Sequence, residues 1–326
     1  MLSLSSKNVF ELLSMNDAIR VIEKTMISVS NDKCVLPLRN VIDVSSSNRL
    51  GIMPGVLSLG GLYGVKVLSL FPENPSKGLS SHIGVVILFN PETGAPAAAI
   101  NADALTAVRT AAATAVATKA LSRMESSKLT IIGTGEQAEA HIEAISLVRN
   151  ITKINIVGRE MTRAKDFLNK VEGRFPNINF TAFQNVKDGI KGSDIVCTVT
   201  SSKKVILFGE WVTKGTHVNA VGASIPIFQE IDESMVLKSK LFVDYRPSAL
   251  AQAKEIIDGL NSKAFDSSHI LGEIGEVLSD KVKGRLFPSD ITLYRSMGIA
   301  AQDLACADFV FQKAKKEGYG VFGDIS

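Results

Sequence analysis

The chain has 326 residues, 45% of them hydrophobic and 21% charged, with a formal net charge of +3. This composition is ordinary for a folded globular protein and excludes a disordered or fibrous one, while the length suits two domains. The slight charge, without any Lys/Arg block interleaved with aromatics, argues against nucleic acid as a partner.

Residues 1–30 read as helical, with Asn16 and Asp17 as capping candidates and Ile19, Ile22, Met26 and Ile27 recurring at helical spacing. Acidic residues and the lack of an uninterrupted apolar core with a cleavage site distinguish this segment from a secretory signal. From about 33 to 100 the texture is β-rich ("CVLPLRNVIDV", "RLGIMPGVL", "LYGVKVLSLF", "HIGVVILF"), with "NPETGAP" as turn chemistry, which predicts an antiparallel or mixed sheet. Asn101 or Asp103 then caps an Ala-rich helix, "ADALTAVRTAAATAVATKAL". Residues 95–120 are the most apolar stretch, but Asn101, Asp103, Arg109 and Lys119 interrupt it, which excludes a simple membrane span. A cytoplasmic protein is expected.

From 128 the order is strand, helix, strand ("KLTIIG", "EQAEAHIEAISLV", "KINIVG"), with further strands at "INFTAF", "DIVCTVT", "THVNAVG" and "KLFVDY". Such alternation predicts an α/β fold: a Rossmann-type doubly wound parallel sheet with helices on both faces. A last amphipathic helix, "IAAQDLACADFVFQKAKKEG", stops at Gly318. Cys34, Cys197 and Cys306 are far apart and lack CxxC spacing, so they read as buried small hydrophobes with neither a disulfide nor a metal site.

The strand "LTII" breaks into Gly133-Thr134-Gly135 and a helix beginning near Glu136 and Gln137. Gly133 permits the tight turn, Gly135 lets a pyrophosphate approach the backbone, and Ala138 takes the third small position, while the helix N-terminus offers N–H groups and positive potential. Nucleotide binding is the predicted outcome. The next strand ends in "INIVGRE", with Arg159 where an NAD-binding unit usually places a carboxylate, and Arg163 follows one helical turn later. Guanidinium groups there favour NADP(H) over NAD(H), which stays open, as does the alternative that Arg159 is a solvated loop residue. Thr200 and Ser201, together with the "NAVGAS" segment, fall where a doubly wound sheet meets its ligand.

Arg39, Lys66 and Arg109 are each a single cation in an apolar neighbourhood, which is costly unless an anion or hydrogen bonds compensate. A ligand carboxylate is one such partner; snorkelling or an internal ion pair is another. His82 reads equally as a ligand contact or a satisfied loop histidine. Met53, Leu57 and Phe71 read equally as pocket walls or as core.

Taken together, "SHIGVVILFNPETG", "ADALTAVRTAAATAVATKAL", "IIGTGEQA" and "LFGEWVTKGTHVNAVGAS" resemble the ornithine cyclodeaminase/mu-crystallin family, most of all its mu-crystallin, or ketimine reductase, branch. The resemblance implies a homodimer, a discontinuous substrate-binding and dimerisation domain of α+β type at 1–119 plus 299–326, a dinucleotide domain at 120–298, and substrate between the two. It implies that Arg39 and Arg109 hold the substrate carboxylate and that Lys66 sits beside the reacting carbon–nitrogen bond as proton donor or polariser. It further implies Ser81, His82, Thr110, Val221 and Ser296 near the nicotinamide, and Arg159 at the 2′-phosphate. Ser224 stands where cyclodeaminases of the family carry an Asp, and a serine cannot serve as an equal base, so cyclodeamination is put in doubt. The expected activity is NAD(P)H-dependent reduction of small cyclic imino acids, such as pyrroline-2-carboxylate or piperideine-2-carboxylate, to L-amino acids. Ornithine cyclodeaminase, an alanine or opine-type dehydrogenase, and a non-catalytic NADPH-binding protein are the alternatives.

Overall fold

The strand–helix alternation after residue 128 forms one parallel sheet, and the β-rich texture before it forms a second, mixed one. The computed structural model describes residues 1–324. It divides into two compact units, Met1–Thr110 with Ile299–Ser326, and Ala111–Gly298. The first division falls at 110/111 where the sequence suggested 119/120; both positions lie within one helix.

The first unit opens with β1 (Leu2–Leu4), α1 (Ser6–Leu12) and α2 (Met15–Val29), followed by β2 (Asn40–Asp43), β3 (Arg49–Val56), β4 (Tyr63–Leu70), β5 (His82–Phe89), β6 (Pro96–Asn101) and the helix α3 (Ala102–Leu121). Ser14, not Asn16 or Asp17, caps α2: its hydroxyl accepts from the Asp17 N–H at 3.1 Å, so the expected caps fall inside the first turn. Asn101 caps α3, accepting from the Ala104 N–H at 2.9 Å, while Asp103 turns instead to the Gly84 N–H at 3.0 Å. Of "CVLPLRNVIDV", only the last part pairs as a full strand, because Pro37 lacks the N–H a ladder needs. The strands run antiparallel from β2 to β6, and β1 joins β6 in parallel.

The second unit holds β7 (Lys128–Ile132), α4 (Glu136–Val148), β8 (Lys153–Val157), α5 (Met161–Val171), β9 (Asn179–Phe183), α6 (Val186–Gly189), β10 (Ile195–Thr198), β11 (His217–Ala220), α7 (Glu233–Lys238), β12 (Lys240–Val243), α8 (Arg246–Gln252), α9 (Lys254–Ser262), β13 (Ile270–Glu273), α10 (Ile274–Leu278) and β14 (Thr292–Arg295). Its strand order, β13-β12-β14-β11-β10-β7-β8-β9, is parallel throughout and doubly wound about β7. Apolar side chains on both faces of the strands form its core: Leu129, Ile131, Ile154 and Ile156 pack with Ala138, Ile142 and Phe167 on one face, and Ile132, Val157, Val196 and Val218 lie on the other. Strands buried on both faces read as continuous apolar runs, which is why this sheet was legible. β13 and β14 were not: "ILGE" and "TLYR" are short and carry charge, and β14 lies mid-sheet because Glu255 neutralises its buried Arg295.

The chain then returns to the first unit as α11 (Ala300–Glu317) and β15 (Val321–Phe322), which pairs with β1. α11 ends at Gly318, whose φ of 76° is the left-handed cap expected from the sequence. It lies across β3, β4 and β5, and the approach is close: a Cβ on Gly64 would meet Leu304 at 2.9 Å and the Ile87 carbonyl oxygen at 2.3 Å. Cys197 and Cys306 are buried as expected, but Cys34 is only half-buried. Among the described residues no helix is long and apolar enough to cross a membrane.

Candidate active site

In the antiparallel register Met53 faces Lys66, Lys66 faces Val86, and Val86 faces Ile100. Directly opposed residues project on the same side of a sheet, so Lys66 stands in an otherwise apolar row, beneath α11. It is 2% exposed. Two elements supply its partners. Thr106 on α3 accepts from Lys66 Nζ at 2.5 Å, and Asp303 on α11 accepts at 2.9 Å. Arg109, one turn along α3 from Thr106, donates through Nε to the same Asp303 Oδ1 at 2.9 Å and through Nη1 to Gln302 Oε1 at 2.9 Å.

Asp303 is fully buried, and a buried carboxylate survives ionised only when cations repay its lost hydration. Burial pushes its pKa up, but the charges and hydrogen bonds of Arg109 and Lys66 overcome that and hold it below the usual carboxylate range. For Lys66 burial dominates, with repulsion from Arg109 and Arg39 added and the Asp303 charge opposing, and its pKa falls from 10.5 to about 8. Arg39 is half-buried in the segment before β2, near enough for its charge to act on Lys66. The three cations singled out in the sequence are therefore electrostatically one group.

Met53 is buried beside Lys66 as part of the core face, and Thr110 is buried next to Arg109. Ser81 and His82 sit at the start of β5, four pairs along the ladder from Val86, with Ser81 Oγ 2.9 Å from His82 Nδ1. Asp303, Gln302 and Thr106 were missed by the sequence reading. The available signal was a lone acid among the small apolar residues of "AAQDLACA".

In the second unit, Gly133 leaves β7 with φ 124°, and a Cβ there would lie 2.8 Å from the Val199 carbonyl oxygen. Only glycine suits that position. Thr134 follows, and Gly135 is the N-cap of α4; no side chain caps the helix, and a Cβ on Gly135 would meet nothing within 4 Å. Glu136 and Gln137 form the first turn, and Ala138 is fully buried where helix meets sheet. An uncapped N-terminus beside open space and a tight glycine turn is the geometry a pyrophosphate needs, so these residues fit a dinucleotide.

Thr200, Val221 and Ser296 follow β10, β11 and β14, which lie side by side with β7 in the sheet, so their loops share its carboxyl edge. Ser201 is exposed and Ser224 half-buried in the same loops, while Ser296 is buried and donates its N–H to the Ala220 carbonyl at 3.0 Å. Glu230, also missed, ties two of these loops together. Its carboxylate accepts from Thr198 Oγ1, from Thr200 N and Oγ1, and from the N–H groups of Gly222 and Ala223, at 2.7–3.2 Å. Burial pushes its pKa above the usual carboxylate value, and the bonds from Thr200 and Thr198 with the charge of Arg295 offset that only in part. Arg159, just after β8, and Arg163, in the first turn of α5, are exposed, and Glu160 Oε1 lies 3.9 and 3.7 Å from them. The sequence reading weighed the two arginines without this carboxylate.

Residues 1–318 match the model of the ornithine cyclodeaminase/mu-crystallin family. The chain belongs to that family. A Delta(1)-pyrroline-2-carboxylate reductase of Bacillus cereus is 31% identical over 322 residues, 98% of each chain. Ketimine reductase mu-crystallin of Rattus norvegicus is 31% identical over 276 residues, 84% of each chain. Alanine dehydrogenase of Archaeoglobus fulgidus is 33% identical over 322 residues, 98% of this chain and 97% of the relative. Among solved structures, Thermococcus litoralis Delta(1)-pyrroline-2-carboxylate reductase in complex with NADH and L-proline superposes with a TM-score of 0.95 at 34% identity, covering 99% of this chain and 100% of that one. The relatives thus include imine reductases, as the resemblance implied, and the fold is theirs.

Proposed function

We propose that the protein is an NAD(P)H-dependent reductase of small imino acids, with cyclic ketimines such as pyrroline-2-carboxylate and piperideine-2-carboxylate as substrates and L-proline or L-pipecolate as products. The observation that carries this reading is the buried group of Lys66, Arg109 and Asp303, in a chain similar from end to end to a pyrroline-2-carboxylate reductase. Arg39 and Arg109 bind the substrate carboxylate by charge-assisted hydrogen bonds. Arg109 is well suited to orient it, because Asp303 and Gln302 already fix the plane of its guanidinium. Lys66, with a pKa of about 8, is mainly the ammonium at neutral pH and gives its proton to the imine nitrogen. The apolar row of Met53, Val86 and Ile100 keeps water from the lysine. A bound nicotinamide dinucleotide supplies the hydride that reduces the carbon of the C=N bond.

For the dinucleotide, the Gly133–Gly135 turn and the α4 N-terminus hold the pyrophosphate, with Thr200, Ser201, Val221 and Ser296 on the nicotinamide side. We propose NADP(H) as the preferred form. Glu160 favours ribose hydroxyls and hence NAD(H), but exposed pairs of this length contribute only about 0–1 kcal/mol, less than the roughly 1.5–3 kcal/mol of a charged hydrogen bond from Arg159 or Arg163 to a 2′-phosphate. A homodimer and a cytoplasmic location complete the proposal; the apolar side chains of Val41 and Ile42, exposed on edge strand β2, support a partner surface.

The test is oxidation of NADPH, with NADH as control, against pyrroline-2-carboxylate, piperideine-2-carboxylate, and pyruvate with ammonia. Turnover of a cyclic imino acid with the lower KM for NADPH is expected. Turnover of pyruvate with ammonia alone would select the alanine dehydrogenase reading, which the similarity to the Archaeoglobus protein favours. Ammonia release from ornithine without net cofactor change would select the cyclodeaminase.

A further inference from the structure

The reading of Lys66 as proton donor leaves a physical problem: what keeps a lysine charged at 2% exposure, with two arginines acting on it? We propose that Asp303 is a positioning residue for this reaction, pairing with the Lys66 ammonium to keep it charged and aimed until the substrate nitrogen takes its proton. The proposal rests on the reductase reading above.

The geometry is specific. Asp303 Oδ1 is 2.9 Å from Lys66 Nζ and 2.9 Å from Arg109 Nε, so one oxygen serves both cations. Thr106 Oγ1 adds a second acceptor for Nζ at 2.5 Å, and its own proton is committed to the Ala102 carbonyl at 2.6 Å, which leaves lone pairs for the ammonium. Two acceptors on two helices fix the direction of the lysine's third N–H bond. The groups that act on Lys66 are Asp303 from α11, Arg109 and Thr106 from α3, and Arg39 from the segment before β2. Cys306, one turn along α11, has its thiol pushed up to about 12 by burial and stays neutral. Asp303 is thus the anion that faces both Lys66 and Arg109.

The charge balance follows the chemistry. Before reaction Lys66, Arg109, Arg39 and Asp303 sum to two positive charges, which the substrate carboxylate reduces to one when it binds. In the step itself an Nζ–H bond breaks, an N–H bond forms on the imine nitrogen, and the carbon receives the hydride. Lys66 is left as a neutral amine beside an Asp303–Arg109 pair that sums to zero, and regains a proton from water for the next cycle. The carboxylate therefore supports the charged lysine before transfer and the arginine after it.

The experiment compares kcat/KM against pH for the wild type, Asp303→Asn, Lys66→Met and the double variant, with cofactor affinity measured separately by fluorescence. For Asp303→Asn the alkaline limb should move to lower pH by one unit or more, with activity recovered towards pH 6 and cofactor affinity unchanged within about twofold. A limb that stays in place in the folded variant would overturn the proposal. If Asp303→Asn does not fold, the double variant, which removes one charge of each sign, decides. Its kcat at saturating substrate should equal that of Lys66→Met, with any effect through Arg109 confined to KM; a further tenfold loss of kcat would show that Asp303 acts on the chemical step independently of the lysine and overturn the proposal. Full turnover by Lys66→Met alone would instead remove the lysine reading itself, a result distinct from failure of Asp303.

Discussion

In the second unit the buried carboxylates of Glu230 and Asp244 accept from the backbone, Glu230 from the N–H groups of Thr200, Gly222 and Ala223 and Asp244 from those of Tyr245, Met297 and Gly298, while that of Glu255 pairs with the guanidinium of Arg295. In the first unit the buried carboxylate of Asp303 is engaged by the side chains of Lys66 and Arg109. A carboxylate that holds loops or a guanidinium has an architectural effect, and one that faces a lysine can have a chemical effect, because an ammonium can give up its proton. The difference says which substitutions should alter rate and which should alter affinity or stability.

The largest effect belongs to the first unit. Lys66→Met should lower turnover by roughly 10²–10⁴-fold, the usual contribution of a positioned acid, and leave the dissociation constant of NADPH within about twofold. Fluorescence titration beside steady-state kinetics checks both numbers, and a matched loss of cofactor affinity would erase the distinction between the units.

Next comes stability, and it belongs to the second unit. Burial depresses His141 to about 4 despite its bond to the Gln137 carbonyl, and burial together with repulsion from Arg285 depresses His217 to about 3. Both folded values lie below the unfolded 6.5, so as pH falls the unfolded chain takes up protons first. Stability is then lost below pH 6.5, down to about 4 for His141 and about 3 for His217, and at pH 5 the cost is about 2 kcal/mol for each. Thermal melts from pH 7 to pH 5 measure it. A melting temperature independent of pH over that range would mean the histidines are not buried neutral.

The smallest effect sharpens the comparison most. Glu230→Ala leaves the donors of two loops unpaired, and should raise the KM for the cofactor about tenfold while turnover at saturating cofactor stays within a few-fold. A fall in saturated turnover with unchanged KM would give Glu230 a chemical role instead.

The sequence made the second unit the easier one to read, for a physical reason. Strands buried on both faces must be apolar throughout, and a phosphate turn must be glycine, so "LTIIGTG" carries its meaning locally. The cations Arg39, Lys66 and Arg109 were legible because charge amid apolar residues demands a partner. The partner was not. Asp303 lies 237 residues from Lys66, and nothing local to α11 says where its carboxylate points. Glu230 was hidden likewise, since its bonds reach loops distant in sequence, and Glu160 was passed over because Arg159 beside it offered the simpler account. β14 escaped because a buried arginine interrupts it, and its neutralising Glu255 sits on α9.

The most direct test of the whole account is the pH dependence of kcat/KM for pyrroline-2-carboxylate reduction in the wild type and in Lys66→Met. A protonated donor with a pKa of about 8 predicts a wild-type alkaline limb that bends near pH 8 and falls about tenfold per unit above it, and that is absent from the variant. A wild-type rate level to pH 9.5, or the same limb in both proteins, would contradict it.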